Sequence, residues 1–523
     1  MKVALLLACS LLLQGDTEPS VAVPRHSLVV QPIVVRGDAG EDPAAMRFLD
    51  QAVTRSYTRA ETRCHFLEAI YFDDTEARDG EVNLDTIVRR AEEAQLLRGG
   101  GRVVNMFFVD AVDGRVGPLG RGQQNGSIAF IALGDEPAPD MEAFVVAHET
   151  GHCLGLLHSV DDPAVPNELV NLMGDGPFAE RTAPEGLHPS QVRTIQSSPL
   201  VMPHVRALGL EEARLAIVDE SFEPFFANLE AREIAAFTGS AVEATDPAAR
   251  RDAARAAFAD AALACTPEEE AALVWLTGAV LERVGGDLPL LAQQPWWFIK
   301  AKDELCGGFS RTRGLAIVFA ERTVARVLAA HRLGDVDTAL RDLGPLFAHE
   351  QLHVIERCYP ERFAQLFTEV FGFRRGRVAQ VAWLTERQVT NPDGVRAEWL
   401  MPVATGTGER LFQLRTVLRD GPSVPRMGYD FLEVLVEVMP GTEPGSFEVI
   451  CDESGVPVPC DRELIAPFLA SFGIEQGLDH PNEIASYLLG AELTRRFAAD
   501  PESAEARDPM ATAFLDWCLA NLR

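Results

Sequence analysis

At 523 residues the chain exceeds what one hydrophobic core ordinarily holds, roughly 250–300 residues, so two domains are the default. Its 47 basic and 78 acidic residues leave a net charge of −31, a field that repels phosphate backbones and makes nucleic acid and anionic lipid unfit partners. A composition 47% hydrophobic and 24% charged, with no fixed-period repeat, excludes the disordered, collagen-like and coiled-coil classes.

Met1-Lys2 and the apolar run that follows to Leu13 match a signal-peptide core of about 7–15 residues, well short of the ~20 that a spanning helix needs. Residues 1–24 are therefore expected to form a leader, and the protein to be secreted or otherwise extracytoplasmic, with no transmembrane segment. Leu6-Leu7-Ala8-Cys9 also matches a lipoprotein cleavage box, which would attach lipid at Cys9. A buried first strand or helix is the remaining alternative. Nine cysteines over this length make no disulfide scaffold, and Cys451 with Cys460, flanking a Gly- and Pro-containing turn, is the first pair to consider in an oxidising compartment.

Ser27 to Arg36 reads as a strand, Pro43 to Arg63 as a helical stretch, and Leu84 to Leu97 as a charged helix. A buried strand follows at Arg102 to Val109, then a loop containing Gly114, Gly117, Gly120 and Gly122. These glycines lack the Gly-Lys-Ser/Thr ending of a phosphate loop. A further strand, Gly126 to Leu133, precedes a helix that Asp140 can cap and that runs into His148-Glu149-Thr150-Gly151-His152.

Histidines at i and i+4 share a helix face about one turn apart, which suits two bonds to one ion. Glu149, between His148 and His152, is off the ligand line and can act as general base toward water at the fourth coordination position. A straight helix would carry His158 about 15 Å from His148, so Gly155 must end the helix and turn the chain back. The complete pattern, His148-Glu149-x-x-His152-x-x-Gly155-x-x-His158, resembles the metzincin metalloendopeptidases. That resemblance implies zinc held by His148, His152 and His158, catalysis by Glu149, and a methionine turn beneath the metal at Asn171-Leu172-Met173-Gly174. It also implies a closing helix from about Ser190 and a protein or peptide substrate paired along the strand Gly126 to Leu133.

Pro203 marks a domain edge, and Ala-rich helical sequence fills roughly 209–284. Beyond it, the strand-then-helix order recurs, with a strand Gly314 to Ala320 ahead of a helix carrying His349-Glu350-Gln351-Leu352-His353. No Gly-x-x-His follows His353. Glu356 lies about 10.5 Å along the axis from His349, too far to share its ion, and fits a supporting or surface role. Glu483 in His480-Pro481-Asn482-Glu483, at the start of a helix that Pro481 opens, offers the third donor, completing the His, His, Glu set of a catalytic zinc site with Glu350 as base.

The stretch from about Leu288 to Ile484 resembles gluzincin-like bacterial peptidase domains, in Thr312 to Phe319, in the His349 motif, in Asn391-Pro392-Asp393 and in the His480 segment. It departs from them at Tyr487, where gluzincins commonly place an acidic residue that supports a ligand histidine.

The expected fold is α/β of the α+β zincin type. A metzincin-like domain (25–205) and a gluzincin-like domain (285–523), each with a mixed sheet, are joined by an Ala-rich helical segment (206–284). The expected activity is zinc-dependent endopeptidase hydrolysis; the alternative is a peptide- or partner-binding protein whose C-terminal zincin-like domain is inert. Oligomeric state is not legible. Trp296-Trp297 and the aromatics of Phe363 to Phe373 read as core.

Overall fold

A run rich in Val and Ile with no alternation suits a parallel strand buried on both faces. In the computed structural model, which describes residues 24–522 except 48–49, 118, 135–138, 167–169, 175–177, 184–185, 293, 407, 476 and 499–507, that run becomes β1 (His26–Arg36). The leader expected at 1–24, including Cys9, falls almost wholly outside the described residues, as does the side chain of Asp140.

The helical stretch expected at 43–63 is shorter than its pattern suggests. It forms α1 (Asp50–Ser56), and the chain is already extended in β2 (Thr62–Phe66), followed by β3 (Ile70–Asp73). Pairing alongside β1 overrides the local helical spacing, because β2 and then β3 occupy successive halves of the same flank of this 11-residue strand.

Next come α2 (Leu84–Glu93), β4 (Val104–Phe108), β5 (Leu119–Gly122), β6 (Ile128–Ala132) and α3 (Pro139–Cys153). After α4 (Pro189–Ser197), β7 (Met202–Pro203) returns to β1. The first sheet runs β2-β1-β4-β6-β5, parallel except for the antiparallel edge strand β5, and β7 adds a short antiparallel pairing to the start of β1. Alternation sends Leu28, Val30 and Val34 into the core shared with α3, and Ile33 and Val35 into the core shared with Ile87 and Ala91 of α2.

The chain enters a second sheet two residues after β7, at β8 (Val205–Ala207), which pairs in parallel with β9 (Trp296–Ala301). Helices Leu210–Ala216, Ala231–Thr238 and Pro247–Ala261, with α5 (Pro267–Val284), share one hydrophobic core with the C-terminal half. Trp296 and Trp297 lie in that core. The strand expected at Gly314 to Ala320, which the family resemblance extends back to Thr312, is one arm of a hairpin: β10 (Arg311–Arg313) turns at Gly314 and pairs antiparallel with β11 (Ala316–Ala320). Strand order is β8-β9-β11-β10, so β10 is the edge.

Helix α6 (Glu321–Leu333) intervenes before α7 (Val336–Cys358), which carries the second histidine pair. A six-stranded sheet follows, including β12 (Trp399–Thr405), β13 (Gly408–Leu418), β14 (Phe431–Pro440) and β15 (Ser446–Val449), then α8 (Pro481–Arg496) and α9 (Pro509–Asn521). The whole is a mixed α/β fold with several sheets. Among the described residues no helix is long and apolar enough to cross a membrane.

Cys451 and Cys460 are both free thiols. Cys451 stands opposite Pro457 across the turn, which leaves Cys460 about 10 Å further along the chain at ~3.3 Å per residue.

α7 is held against the second sheet by Phe347, fully buried with its ring 5.6 Å from that of Phe298 and 5.1 Å from that of Phe319. Phe347→Ala should remove these contacts and leave a cavity costing about 3–5 kcal/mol. A clear fall in the thermal midpoint of the C-terminal half, followed by calorimetry, is the expected outcome; an unchanged midpoint would show that Phe347 does not anchor α7.

Candidate metal centres

α3 delivers His148 and His152 from one face, and the backbone of Gly155, at φ +95°, ends the helix and swings His158 back to them. The three Nε2 atoms converge: that of His158 is 3.2 Å from both others. Their orientation is set from behind. His148 Nδ1–H donates to the Leu172 carbonyl and His152 Nδ1–H to the Leu156 carbonyl, each at 2.9 Å, so each Nε2 presents its lone pair to the shared centre.

A tetrahedral zinc ion about 2.0–2.1 Å from each nitrogen would hold neighbouring nitrogens about 3.3 Å apart, so spacing and donor chemistry both fit zinc. Burial pushes His148 down to about 4, and His152 is lowered for the same reason. Both imidazoles are thereby kept neutral, as ligands must be.

The turn that supplies Leu172 is locked by Asn171. Its Oδ1 accepts the Met173 N–H at 2.8 Å and its Nδ2 donates to Gln191 on α4 at 2.7 Å. Met173 is buried below α3, close enough that a methyl on Gly151 would lie 2.8 Å from its sulfur.

Two glycines read as loop residues, Gly120 and Gly122, belong instead to the edge strand β5, which crosses directly over α3. A methyl at Gly120 would collide with the Glu149 side chain, and one at Gly122 with the Glu149 carbonyl oxygen and His152. The Gly122 N–H donates to Glu149 Oε2 at 2.6 Å. Sequence reasoning missed this partner, because only the packing of β5 reveals it. Burial pushes the Glu149 carboxyl up to about 7, against the Gly122 hydrogen bond, which acts to lower it.

The strand expected to pair a peptide, Gly126 to Leu133, cannot do so: as β6 it is paired on both flanks, by β4 and β5. β5 is the edge, and it borders a cavity of about 350 Å³ lined by Gly120, Gly122, Glu149, His152, His158 and Asp161.

In the second group, His349 and His353 on α7 meet Glu483 from the first turn of α8. The two Nε2 atoms are 3.2 Å apart, and Glu483 Oε2 is 3.5 Å from His349 Nε2 and 3.7 Å from His353 Nε2. His480 caps α8 and Pro481 occupies its first position. The donor set again suits zinc.

Support for His353 comes from Glu356, whose buried Oε2 accepts from His353 Nδ1–H at 3.0 Å, while Tyr487 packs its ring edge-on against His349 at 4.9 Å. The acidic support of His353 thus comes from within α7. Glu483 is fixed by Asn391, whose Nδ2 donates to Oε1 at 2.8 Å. Burial opposes charge on both ligands, yet their mutual attraction prevails: His353 is held well above its usual range, helped by Asp393 and Glu356, and Glu483 well below its own. Glu350 is buried, its Oε2 has no hydrogen-bond partner among the described residues, and burial with Asp393 nearby pushes its carboxyl well above the usual range.

The edge of β10 is not free. Thr312 N–H, on its outer side, donates to Asp393 Oδ1 at 2.7 Å, and the Thr312 hydroxyl contacts the same oxygen. Asn482 Nδ2 holds the Asp393 carbonyl at 2.6 Å.

No family model matches the chain, and no curated protein does. Among solved structures, an archaemetzincin from Methanopyrus kandleri is similar at 16% identity and a TM-score of 0.22, over 32% of this chain and 94% of that one. So low a score adds no weight, and the two centres stand on their own geometry.

The folded-state value of Glu149, about 7, lies above the 4.5 of a free carboxyl, so the fold disfavours its ionised form. That cost is fully present above pH 7, fades between 7 and 4.5, and is absent below 4.5. Zinc-free Glu149→Gln should therefore be more stable than zinc-free wild type at pH 8, by on the order of 3 kcal/mol, with the gap closing toward pH 4.5. Thermal melts across that range test this; a gap that is independent of pH would refute it.

Proposed function

We propose that the chain is a zinc metalloendopeptidase whose working centre is His148, His152 and His158 with Glu149 as general base. The observation that carries this reading is the open three-nitrogen cluster with a buried carboxylate beside it: three ligands and a free fourth position suit catalysis, whereas a structural zinc is closed by four.

A zinc ion held there would supply Lewis acidity to a peptide carbonyl and lower the pKa of water. Glu149, steadied at Oε2 by the Gly122 N–H, takes a proton from the attacking water and returns it to the leaving amine. Burial, which disfavours the ionised carboxylate, helps Glu149 accept that proton. Apart from the Gly122 N–H, which Glu149 holds, the outer edge of β5 offers its main-chain groups to an extended peptide by β-addition, replacing β6 in that role. Met173 supports the floor of the centre.

His349, His353 and Glu483 would hold a second zinc, with Glu350 placed as its base. Here one observation favours the alternative of a binding unit: Asp393 already occupies the Thr312 N–H that a substrate strand would use. On this reading the chain divides between Pro203 and Val205 into an N-terminal peptidase unit and a C-terminal unit that includes the 209–284 helices. Export of the protein, read from residues 1–24, remains part of the proposal.

Purified protein should carry about two zinc ions per chain, falling to about one in either His158→Ala or His353→Ala. Glu149→Gln should keep its zinc yet lose about 10²–10⁴-fold in casein hydrolysis. Full activity in Glu149→Gln would overturn the assignment, and one zinc per wild-type chain would remove the second centre.

A further inference from the structure

The C-terminal unit contains a cavity of about 430 Å³ that neither metal centre explains. Its floor is Arg415, on β13, and its rim is exposed at Asn228, Gln380 and Arg396, so it opens to solvent. Arg415 is only 9% exposed. Its Nη1 donates to Gln413 Oε1 at 3.1 Å, and among the described residues no carboxylate pairs with it. Gln413 is itself held by the Ala397 and Trp399 carbonyls at 3.0 and 3.3 Å, so the guanidinium is fixed before any ligand arrives.

A buried guanidinium without a counter-ion is costly, and an anion entering the cavity would relieve that cost. Burial brings Arg415 down only to about 10, with Glu233 acting the other way, so it remains cationic at neutral pH.

The walls narrow the ligand further. Arg251 is 4.0 Å from Glu230, and Asp479 is beside Thr416, whose hydroxyl donates to it at 3.4 Å. Glu230 is matched by Arg250 and Arg251, while Asp479 on the wall opposes a dianion more than a monoanion, which favours a planar monoanion that guanidinium can grip with two parallel hydrogen bonds. The volume suits one or two amino-acid residues. Asn391 lines the cavity and also donates to Glu483 Oε1, and His480, on the same wall, caps the helix that carries Glu483.

We propose that this cavity binds the free α-carboxylate of a peptide through Arg415, so that the C-terminal unit engages peptide C-termini beside its metal centre. The choice of a peptide end over other carboxylates rests on the peptidase-type reading of that centre. Binding can nevertheless fail independently of hydrolysis.

The test uses full-length zinc-loaded protein carrying Glu149→Gln and Glu350→Gln, so that neither centre consumes peptide, and isothermal titration with tetra-alanine as free acid and as C-terminal amide. The free acid should bind at least 10-fold more tightly, Arg415→Met should erase the difference, and Arg415→Lys should keep part of it. Equal affinity for acid and amide, or a preference that survives Arg415→Met, would overturn the proposal. So would acetate competing as strongly as the peptide, which would mark a site for small carboxylates only. Should Arg415→Met not fold, the acid-against-amide comparison in the parent and in Arg415→Lys still decides the outcome.

Discussion

Three converging imidazole nitrogens, that of His158 standing 3.2 Å from each of the other two, form a mutually repulsive set of lone pairs unless a cation stands between them, and much of the N-terminal half enforces that convergence. Each constraint has a separate source. The carbonyls of Leu172 and Leu156 fix the tautomers of His148 and His152, Gly155 turns the chain, and Asn171 with Gln191 locks the loop that provides Leu172. β5 can press on the same helix only because Gly120 and Gly122 carry no side chain. The helix is in turn seated on a sheet whose central strand β1 is buried on both faces. A polar site of this kind needs a stiff apolar base, since rotating one ring would lose both its ligand geometry and its hydrogen bond.

The two centres achieve similar donor spacing by different electrostatics. In the first, neutral carbonyls sit behind His148 and His152 and burial disfavours charge on those two rings, while a cavity opens on Glu149 and His158. In the second, carboxylates stand behind and beside the rings: Glu356 on His353 Nδ1 and Glu483 among the donors. Added negative charge strengthens cation binding, but the surroundings are tighter, with His353 at 1% exposure and the neighbouring edge strand capped by Asp393. Strong holding and easy access are thus divided between the two, which is why hydrolysis is assigned to the first.

Local spacing made both histidine pairs legible, because i and i+4 on a helix is a short-range rule, and the Gly155 turn followed from axial rise alone. Glu483 was reachable because Pro481 marks a helix start. What stayed hidden depends on pairing between distant segments. The glycines of β5 carry no strand signal of their own and become a strand only through pairing with β6, and β2 is masked by helical spacing that pairing with β1 overrides. Thr312 to Phe319 read as one strand because hydrophobic content does not report a turn at Gly314. Glu356 was readable as a supporting or surface residue, and its contact with His353 decides between the two, whereas Asn391 and Asp393 act on groups that only tertiary contact brings near.

The halves are also joined at a point that bears on the second centre. α7 ends at Cys358, and a helix leaves its last carbonyls without partners in its own backbone. Here the Cys358 carbonyl accepts the Glu68 N–H at 2.9 Å, Glu68 Oε2 accepts the Glu361 N–H at 2.7 Å, and Gln31 on β1 donates to the Glu68 carbonyl at 2.8 Å. The Trp297 indole adds a bond to the Pro203 carbonyl at 3.1 Å, where the chain passes from one sheet to the other. The end of the helix that carries His349, His353 and Glu356 is therefore capped by the first unit. Swinging the units apart would expose these groups and free the end of α7, so the geometry of the second centre depends on docking as well as on its own core.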